Sequence, residues 1–437
     1  MLDASASAVS RPPGLTLRSV LACNLGVCLE GFDFIAYSAF SVIIAKLYFP
    51  TGDAFSSALF ALGALGIAYI VRPFGGIFWG IFADRLGRRL ALSSISIVMA
   101  VGTAMVAFAP TYQMIGIAAP IIMLMARVIQ GFAASGEFAS ATSMLVELAP
   151  RRRRSFFAST QMASQVVTVA LASAVVLTLS KSLDQAALES WGWRFVFAVG
   201  TLIGPLGFYM RARMAESPEF VEVAHRPASD RMTLAEALTR YPSELLCLAG
   251  LVVIGAASFY LILIFMPIYA ARELGISMAH AQIATIIAAL VQGPVILWAG
   301  ALADRYGQAK ILFPASLAYA ALAYPLFSYL ISEPSFWALM IVQLVASVIL
   351  GFLSGPLPAA MSELLPAEVR SSGIGIVYNI VGAVFGGLGP FLIMLIVGVT
   401  GDKAGPAYWA AFTGLIGVLA VTALWRGGAP AVAREAA

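Results

Sequence analysis

The chain has 437 residues, 61% of them apolar and only 11% charged, against ~45–50% and ~25% in an ordinary soluble domain. Its mean hydropathy of +0.92 points the same way. So little charge cannot clothe a soluble globule of this size, which excludes a soluble enzyme, a nucleic-acid binder and a disordered chain. The composition is that of an all-α polytopic membrane protein. The formal charge of +4 is explained below by where the basic residues fall. Cys23, Cys28 and Cys247 sit in apolar segments without metal-ligand spacing, so neither a disulfide framework nor a metal site is expected. Asp3 and Pro12-Pro13 precede the first apolar run, so no cleavable signal peptide is expected.

A membrane-crossing helix needs ~20 mostly apolar residues, and twelve such stretches follow one another. After a tail over 1–17, the first, about 18–48, carries Glu30, Asp33 and Tyr37 at i, i+3 and i+7, one helical stripe. The second, about 57–82, holds Arg72-Pro73 and Gly63, Gly66, Gly75, Gly76 and Gly80, small residues that let helices approach closely. The third runs over about 90–109. The fourth, about 114–146, sets Arg127, Gln130, Ala134 and Glu137 at i, i+3, i+7 and i+10, again one stripe. The fifth, about 156–180, has Gln161, Gln165 and Thr168 in a polar line, and the sixth covers about 194–213. A polar interval over 214–242 then divides the chain.

Six further spans fall at about 243–270, 280–302, 310–331, 335–361, 372–399 and 407–426, before a tail over 427–437. The expected organisation is therefore two six-helix bundles, 18–213 and 243–426, joined by the loop 214–242. Tyr260, Gln292 and Tyr378-Asn379 are notable polar side chains of the seventh, eighth and eleventh spans. Gly355-Pro356-Leu-Pro358 and Gly386-Gly387-x-Gly389-Pro390 predict kinks in the tenth and eleventh that can serve as gate hinges. No Walker Gly-Lys-Ser/Thr is present, so ATP-driven pumping has no support.

Twelve spans put both termini on one side. Nineteen of the 26 Lys and Arg fall on that side, among them Arg11, Arg211, Arg434 and the run Arg151 to Arg154. Five fall on the other, and Arg72 and Arg127 lie inside spans. Positive residues stay inside, so both termini and the central loop are expected in the cytoplasm. The arginine run then reads as a topology anchor rather than a nucleic-acid patch.

The halves repeat one another. Gly80-Ile-Phe-Ala-Asp84-Arg85-Leu-Gly87-Arg88-Arg89 returns as Gly300-Ala-Leu-Ala-Asp304-Arg305-Tyr-Gly307-Gln308-Ala309-Lys310, an offset of 220. Glu147-Leu-Ala-Pro150 with Arg154 returns as Glu363-Leu-Leu-Pro366 with Arg370, an offset of 216. Repeated six-span halves are the build of many secondary transporters, with the substrate site near the midplane between them. Asp84, Glu147, Arg85, Arg88 and Arg154, with their second copies, suit a charge network that closes one end of a path. The plainer reading is a set of loop turns.

These loops carry a family resemblance. Gly80-xxx-Asp84-Arg-x-Gly-Arg-Arg resembles the signature of the major facilitator superfamily. Within it, the chain resembles the bacterial metabolite:proton symporters. The carrying segments are Leu29-Glu30-Gly-Phe-Asp33, Arg72-Pro73-Phe-Gly-Gly, Arg127-Val-Ile-Gln130-Gly131 through Glu137, Trp191-Gly-Trp193-Arg194, Glu216-Ser-Pro-x-Phe220 and Tyr378-Asn379 through Phe385-Gly-Gly. The chain departs from the family pattern at Val27, Gly31 and Ser135. The resemblance implies a major facilitator fold in a bacterial inner membrane, a working monomer, and spans 1 and 4 facing the transport path. It also implies the proton as coupling ion and no other cofactor.

Charge inside hydrocarbon costs at least ~2.5–3.5 kcal/mol on insertion scales, so it usually marks a pathway. Glu30, Asp33, Arg72, Arg127 and Glu137 are the five such residues legible in the spans. Both histidines, His225 and His280, lie in loops, which leaves Glu30, Asp33 and Glu137 as the proton-coupling candidates. Asp33 or Glu30 is expected to trade a proton against an ion pair with Arg127 or Arg72. Arg127, planar and bidentate, suits a substrate carboxylate, with Gln130, Tyr37, Gln161, Tyr260, Tyr378 and Asn379 as expected contacts. Arg72 is structural or substrate-binding. The plainer reading is that these charges are fixed pairs holding helices together.

Members of the resembled family carry carboxylates such as citrate and 2-oxoglutarate, or zwitterions such as proline and betaine. Two intramembrane arginines, and the stretch Thr400-Gly-Asp-Lys403 through Pro406, favour a di- or tricarboxylate. A zwitterion carrier, or a membrane sensor that lost transport, are the alternatives. The zwitterion carriers often extend into a C-terminal coiled coil, of which the eleven residues after Arg426 show no heptads.

Overall fold

A computed structural model describes residues 15–50, 54–227 and 231–426. Most of the expected tails, with Arg11 and Arg434, lies outside them. Among the described residues, twelve apolar helices are long enough to cross a membrane. They are α1 (Leu17–Ala39), α2 (Gly66–Leu86, the end of a helix starting at Ala54), α3 (Arg88–Phe108), α4 (Ala118–Leu148), α5 (Arg151–Ser182) and α6 (Gln185–Ala212). The second half has α7 (Pro242–Glu273), α8 (Met278–Tyr306), α9 (Gln308–Ser332), α10 (Phe336–Glu363), α11 (Arg370–Thr400) and α12 (Gly405–Arg426). No strand occurs among the described residues.

The irregularities fall where backbone chemistry requires them. The first apolar run is not one helix: it breaks at Phe40, and Ser41–Tyr48 forms a separate helix of about two turns. The run expected from 114 starts later, at Ala118, because Gly116 adopts φ 59° after the short helix Tyr112–Ile115. The predicted kinks are present. α10 is interrupted at Gly355-Pro356, and α11 widens to π-helix over Ala383–Gly387 before resuming at Gly389. π segments also occur at Leu188–Gly192 in α6 and at Tyr260–Phe265 in α7, and no proline or glycine inside the latter announces it.

The halves touch along α2 against α11 and α5 against α8. Small residues make both seams possible. A Cβ on Gly76 would stand 2.7 Å from the Gly375 carbonyl oxygen, and one on Gly80 would stand 2.5 Å from the Ser372 Cα. Gly300, the repeat partner of Gly80, meets Ser159 in the same way at 2.6 Å. Gly87 and Gly307, also repeat partners, turn the chain at φ 106° and 96°, a region that side chains with a Cβ avoid. The repeated glycines thus serve either close helix approach or a left-handed turn.

Candidate functional site

The end of the bundle that carries the 2–3, 4–5, 8–9 and 10–11 loops, here the arginine-rich face, is closed by the repeated motifs. Asp84 accepts hydrogen bonds from the backbone N–H of Ser371 and Ser372 at 3.1 and 2.8 Å, so it caps the start of α11 in the other half. Asp304 accepts from Ser155 and Phe156 N–H at 2.8 and 2.9 Å, capping α5 in return. Each half therefore supplies the anion for the positive end of a helix in its partner half. Around these caps, Arg88 lies 3.4 Å from Asp84 and 3.2 Å from Glu147, and Arg370 reaches Glu147 at 2.7 Å.

The central loop joins this network. Ser217 caps the short helix Pro218–Ala224, which holds Glu219 against Arg370 at 2.6 Å and against Arg154. Burial pushes the Glu219 carboxyl up, but the two guanidiniums outweigh it and hold it below the usual range. Glu216 accepts from the backbone N–H groups of Arg88 and Arg89, while burial pushes its carboxyl up. Glu363 is half-buried and lines, with Arg154 and Asp304, a cleft opening on this face. Arg85, Arg89 and Arg305 are exposed.

Deeper in, a cavity lies between the halves. It leaves about 60 Å³ for the centres of water molecules, against the ~10–15 Å³ that one water needs. Its walls come from α1, α2, α4, α5, α7, α10 and α11. Two aromatic pairs bound it, each joining the two halves. Tyr69 and Tyr260 share a hydroxyl–hydroxyl bond of 2.6 Å, with Phe34 edge-on to both rings. Phe138 stacks on Tyr378 at 3.9 Å between ring centres. From helix rise, Tyr69 and Tyr260 lie roughly 25 Å from the arginine-rich ends of their helices, and Phe138 and Tyr378 roughly 12–15 Å. Glu30 and Arg72, at roughly 20 Å, fall between the two closures.

Away from the arginine-rich end, the charged side chains described within the spans form three pairs. Arg72 donates from Nη2 to Glu30 Oε1 at 2.6 Å, on the cavity wall, with its guanidinium 4.5 Å from the Tyr69 ring centre. Arg127 donates to Asp33 at 2.6 Å and lies 3.6 Å over the Tyr37 ring. Gln130 bonds the other Asp33 oxygen at 2.8 Å and Thr103 at 3.0 Å. This second group is buried between α1, α3 and α4 and does not line the cavity.

Glu137 pairs with Arg211, which also donates to the carbonyls of Ala22, Cys23 and Leu92 and to Ser96. The expectation that Arg211 is a loop residue is corrected: it is fully buried, a sixth charge within the spans. It escaped notice because it stands one residue from the end of α6, beside Arg213, where an arginine ordinarily reads as a topology anchor. Gly26 makes room for the pair, since a Cβ there would meet Glu137 Oε1 at 2.3 Å.

Of the expected contacts, Tyr260, Tyr378 and Asn379 line the cavity together with Glu30 and Arg72. Asn379 also donates to the Ser135 carbonyl across the seam at 2.8 Å. Arg127, Gln130 and Tyr37 sit together around Asp33, apart from it. Gln161 is buried against Thr142 at 2.6 Å, and Gln292 is fully buried; neither lines the cavity. Sequence reading missed Tyr69, whose only signal is its place one turn from Arg72. Among the described residues, no three His, Cys, Asp or Glu side chains gather about a common metal position.

Two six-span halves around a central cavity, closed at one end by a cross-half charge network, define a membrane transporter rather than an enzyme. Residues 19–244 match the family model for sugar (and other) transporters, and residues 246–436 match that of the major facilitator superfamily. The chain belongs to the major facilitator superfamily. It is 33% identical to a citrate-proton symporter of Klebsiella pneumoniae, over 96% of this chain and 94% of the relative. A citrate-proton symporter of Salmonella typhi is 31% identical over 94% of both chains. A proline/betaine transporter of Salmonella typhimurium is 29% identical over 93% of this chain and 83% of its own. Among solved structures, the proton:xylose symporter XylE bound to 6-bromo-6-deoxy-D-glucose superposes with a TM-score of 0.81 at 18% identity, covering 94% and 95% of the two chains.

Proposed function

We propose that the chain is a secondary active transporter that carries a small organic acid, a di- or tricarboxylate such as citrate, together with protons by alternating access. The observation that supports this most is the Glu30–Arg72 ion pair on the wall of a cavity between the halves, bounded at both ends by aromatic contacts. Burial disfavours an ionised carboxylate and a neighbouring arginine favours it. A carboxylate whose partner changes as the cavity alternates can therefore take up and release a proton. Asp33 beside Arg127 is built from the same parts, and Glu137 is the third candidate carboxylate. The citrate-proton symporters among the relatives support a carboxylate as the substrate class.

A zwitterionic osmolyte is the second reading. The relatives named as proline/betaine transporters support it, and so does a cavity wall containing Tyr69, Phe138, Phe259, Tyr260 and Tyr378, since aromatic faces suit quaternary ammonium groups. The arginine excess supports a cytoplasmic arginine-rich face, with the loop 214–242 and both termini on that side of a bacterial inner membrane. The working unit is a monomer, the six-helix domains run over 18–213 and 243–426, and Asp84, Glu147, Arg88, Arg154 and Arg370 gate its cytoplasmic end.

Uptake of labelled citrate, 2-oxoglutarate and proline into proteoliposomes, with and without an inward acid gradient, tests the reading. Acid-driven accumulation of citrate is the expected result. Accumulation of proline alone selects the second reading, and no acid-driven uptake of any of the three sinks proton-coupled transport.

A further inference from the structure

The three carboxylate–arginine pairs differ in how fully each guanidinium is occupied. Every nitrogen of Arg211 is engaged, by Glu137, three backbone carbonyls and Ser96. Arg127 gives one nitrogen to one Asp33 oxygen and leaves its Nε and Nη2 without hydrogen-bond partners, but it is buried with Asp33, Gln130 and Tyr37, and none of the four touches the cavity. Arg72 combines incomplete occupancy with a place on the cavity wall. It gives a single nitrogen to a single Glu30 oxygen, its buried Nε has no partner, and both side chains border the cavity with 14% and 21% of their surface exposed.

Among the described residues, nothing else on the cavity wall carries charge; its polar groups are the hydroxyls of Tyr69, Tyr260, Tyr378 and Ser354 and the amides of Gln165 and Asn379. A ligand anion entering the cavity therefore meets one cation, already held by one carboxylate. The titratable groups facing Glu30 are Arg72 and Tyr69 from α2, Asp33 from its own helix, Glu137 from α4, Tyr260 from α7 and Tyr378 from α11.

We propose that Arg72, rather than Arg127, is the seat for one ionised carboxylate of the substrate, and that Glu30 vacates this seat by taking up the coupled proton. The inference rests on the reading of the chain as a proton-coupled carboxylate symporter. An O–H bond forms on Glu30, its ion pair with Arg72 breaks, and the substrate carboxylate forms the replacement pair. The pair at the guanidinium is neutral before and after, with one carboxylate replacing another, and any further ionised carboxylate of the substrate adds its own charge to the cavity. A buried guanidinium left bare, or two carboxylates sharing it, is disfavoured by desolvation and by like charge. Half-loaded states are thereby suppressed, which ties proton to substrate. The recognised substrate is a small acid held through one carboxylate, its remaining polar groups met by neutral hydroxyl and amide donors.

The test uses the purified full-length protein with citrate as probe, and 2-oxoglutarate and proline in parallel. Affinity is read by calorimetry and proton uptake by a pH dye, above the range in which ordinary carboxyls titrate. The unaltered protein should take up one proton per citrate bound, its affinity falling about tenfold per pH unit above the titration of Glu30. Glu30→Gln should take up none, with affinity constant to within about twofold over the same range. Arg72→Gln should bind at least ~10-fold more weakly, as expected for loss of a charge-assisted contact.

If Glu30→Gln does not fold, Glu30→Asp serves instead, and should keep proton uptake with a displaced pH midpoint. Undiminished proton uptake by Glu30→Gln, an unmoved midpoint in Glu30→Asp, or unchanged citrate affinity in Arg72→Gln overturns the exchange and leaves symport standing. Binding of none of the probes by the unaltered protein, or binding without proton uptake, removes the symporter reading and the exchange with it.

Discussion

At the scale of single residues, an arginine inside the bilayer can be a working part or a strut, and its hydrogen-bond inventory separates the two. Arg211 has the inventory of a strut: fully buried, bonded to three backbone carbonyls, to Ser96 and to both oxygens of Glu137. Removing one member of such a pair leaves an uncompensated buried charge, which typically costs ~3–5 kcal/mol. Arg211→Met should therefore lower the thermal unfolding temperature strongly. Adding Glu137→Leu to it should restore much of the loss, because no lone charge remains; a double variant as unstable as the single one would refute the strut. The stripes Glu30–Asp33–Tyr37 and Arg127–Gln130–Glu137 were legible from helical spacing. Which charge meets which was not, since Arg211 is 74 residues from Glu137 and apposition across helices leaves no period in a sequence.

At the scale of elements, the repeat was legible because both copies keep Gly, Asp and a second Gly at one spacing. Its purpose was only partly so. A charge network was foreseen, but Asp84 and Asp304 act first on backbone, as caps on helices of the opposite half. The separation of 287 positions from Asp84 to Ser371 hides that relation from any local pattern. Loss of such a cap typically costs ~1 kcal/mol. Asp84→Ala should speed hydrogen exchange in the first turn of α11 about fivefold, the factor that ~1 kcal/mol gives; an unchanged rate there would remove the cap from the closure.

The loop helix Pro218–Ala224 adds a pH dependence to the same closure. Arg370 and Arg154 hold Glu219 below the usual carboxyl range against the opposing effect of burial. A depressed pKa contributes stability that is present above the unfolded value and is lost as pH falls through the folded value. The clasp should thus stay shut from neutral pH down to the ordinary Glu range, and loosen only below it. Glu219→Gln should remove that acid transition in protease nicking of the 214–242 loop. A transition that persists unaltered in the variant would assign it to another group.

At the scale of the whole molecule, two closures coexist on either side of one cavity, and they are built of different materials. Among the described residues, the arginine-rich end is held by helix caps and a multi-residue charge network, while the opposite end is held by one hydroxyl–hydroxyl bond and aromatic edges. The aromatic closure also rests on close fits in α11: a Cβ on Gly386 would stand 2.8 Å from the Tyr260 ring, and one on Gly387 3.0 Å from that of Tyr69. Both glycines belong to the π segment of α11, and Tyr260 begins that of α7, so the lid is formed by two helical stretches with widened turns.

A single net hydrogen bond contributes only ~0.5–1.5 kcal/mol, so the tyrosine lid is the closure that opens first. Tyr69→Phe should raise the lid-open population about fivefold, as a loss of ~1 kcal/mol gives, and Tyr260→Phe should do the same. The double variant should go no further than either single one, because all three lose one shared bond and the coupling between the sites is complete. Distances between spin labels placed beyond the lid on each half would report the open fraction. Additive effects of the two substitutions would show that the hydroxyls act through separate partners, and that the aromatic edges, not the bond, hold the lid.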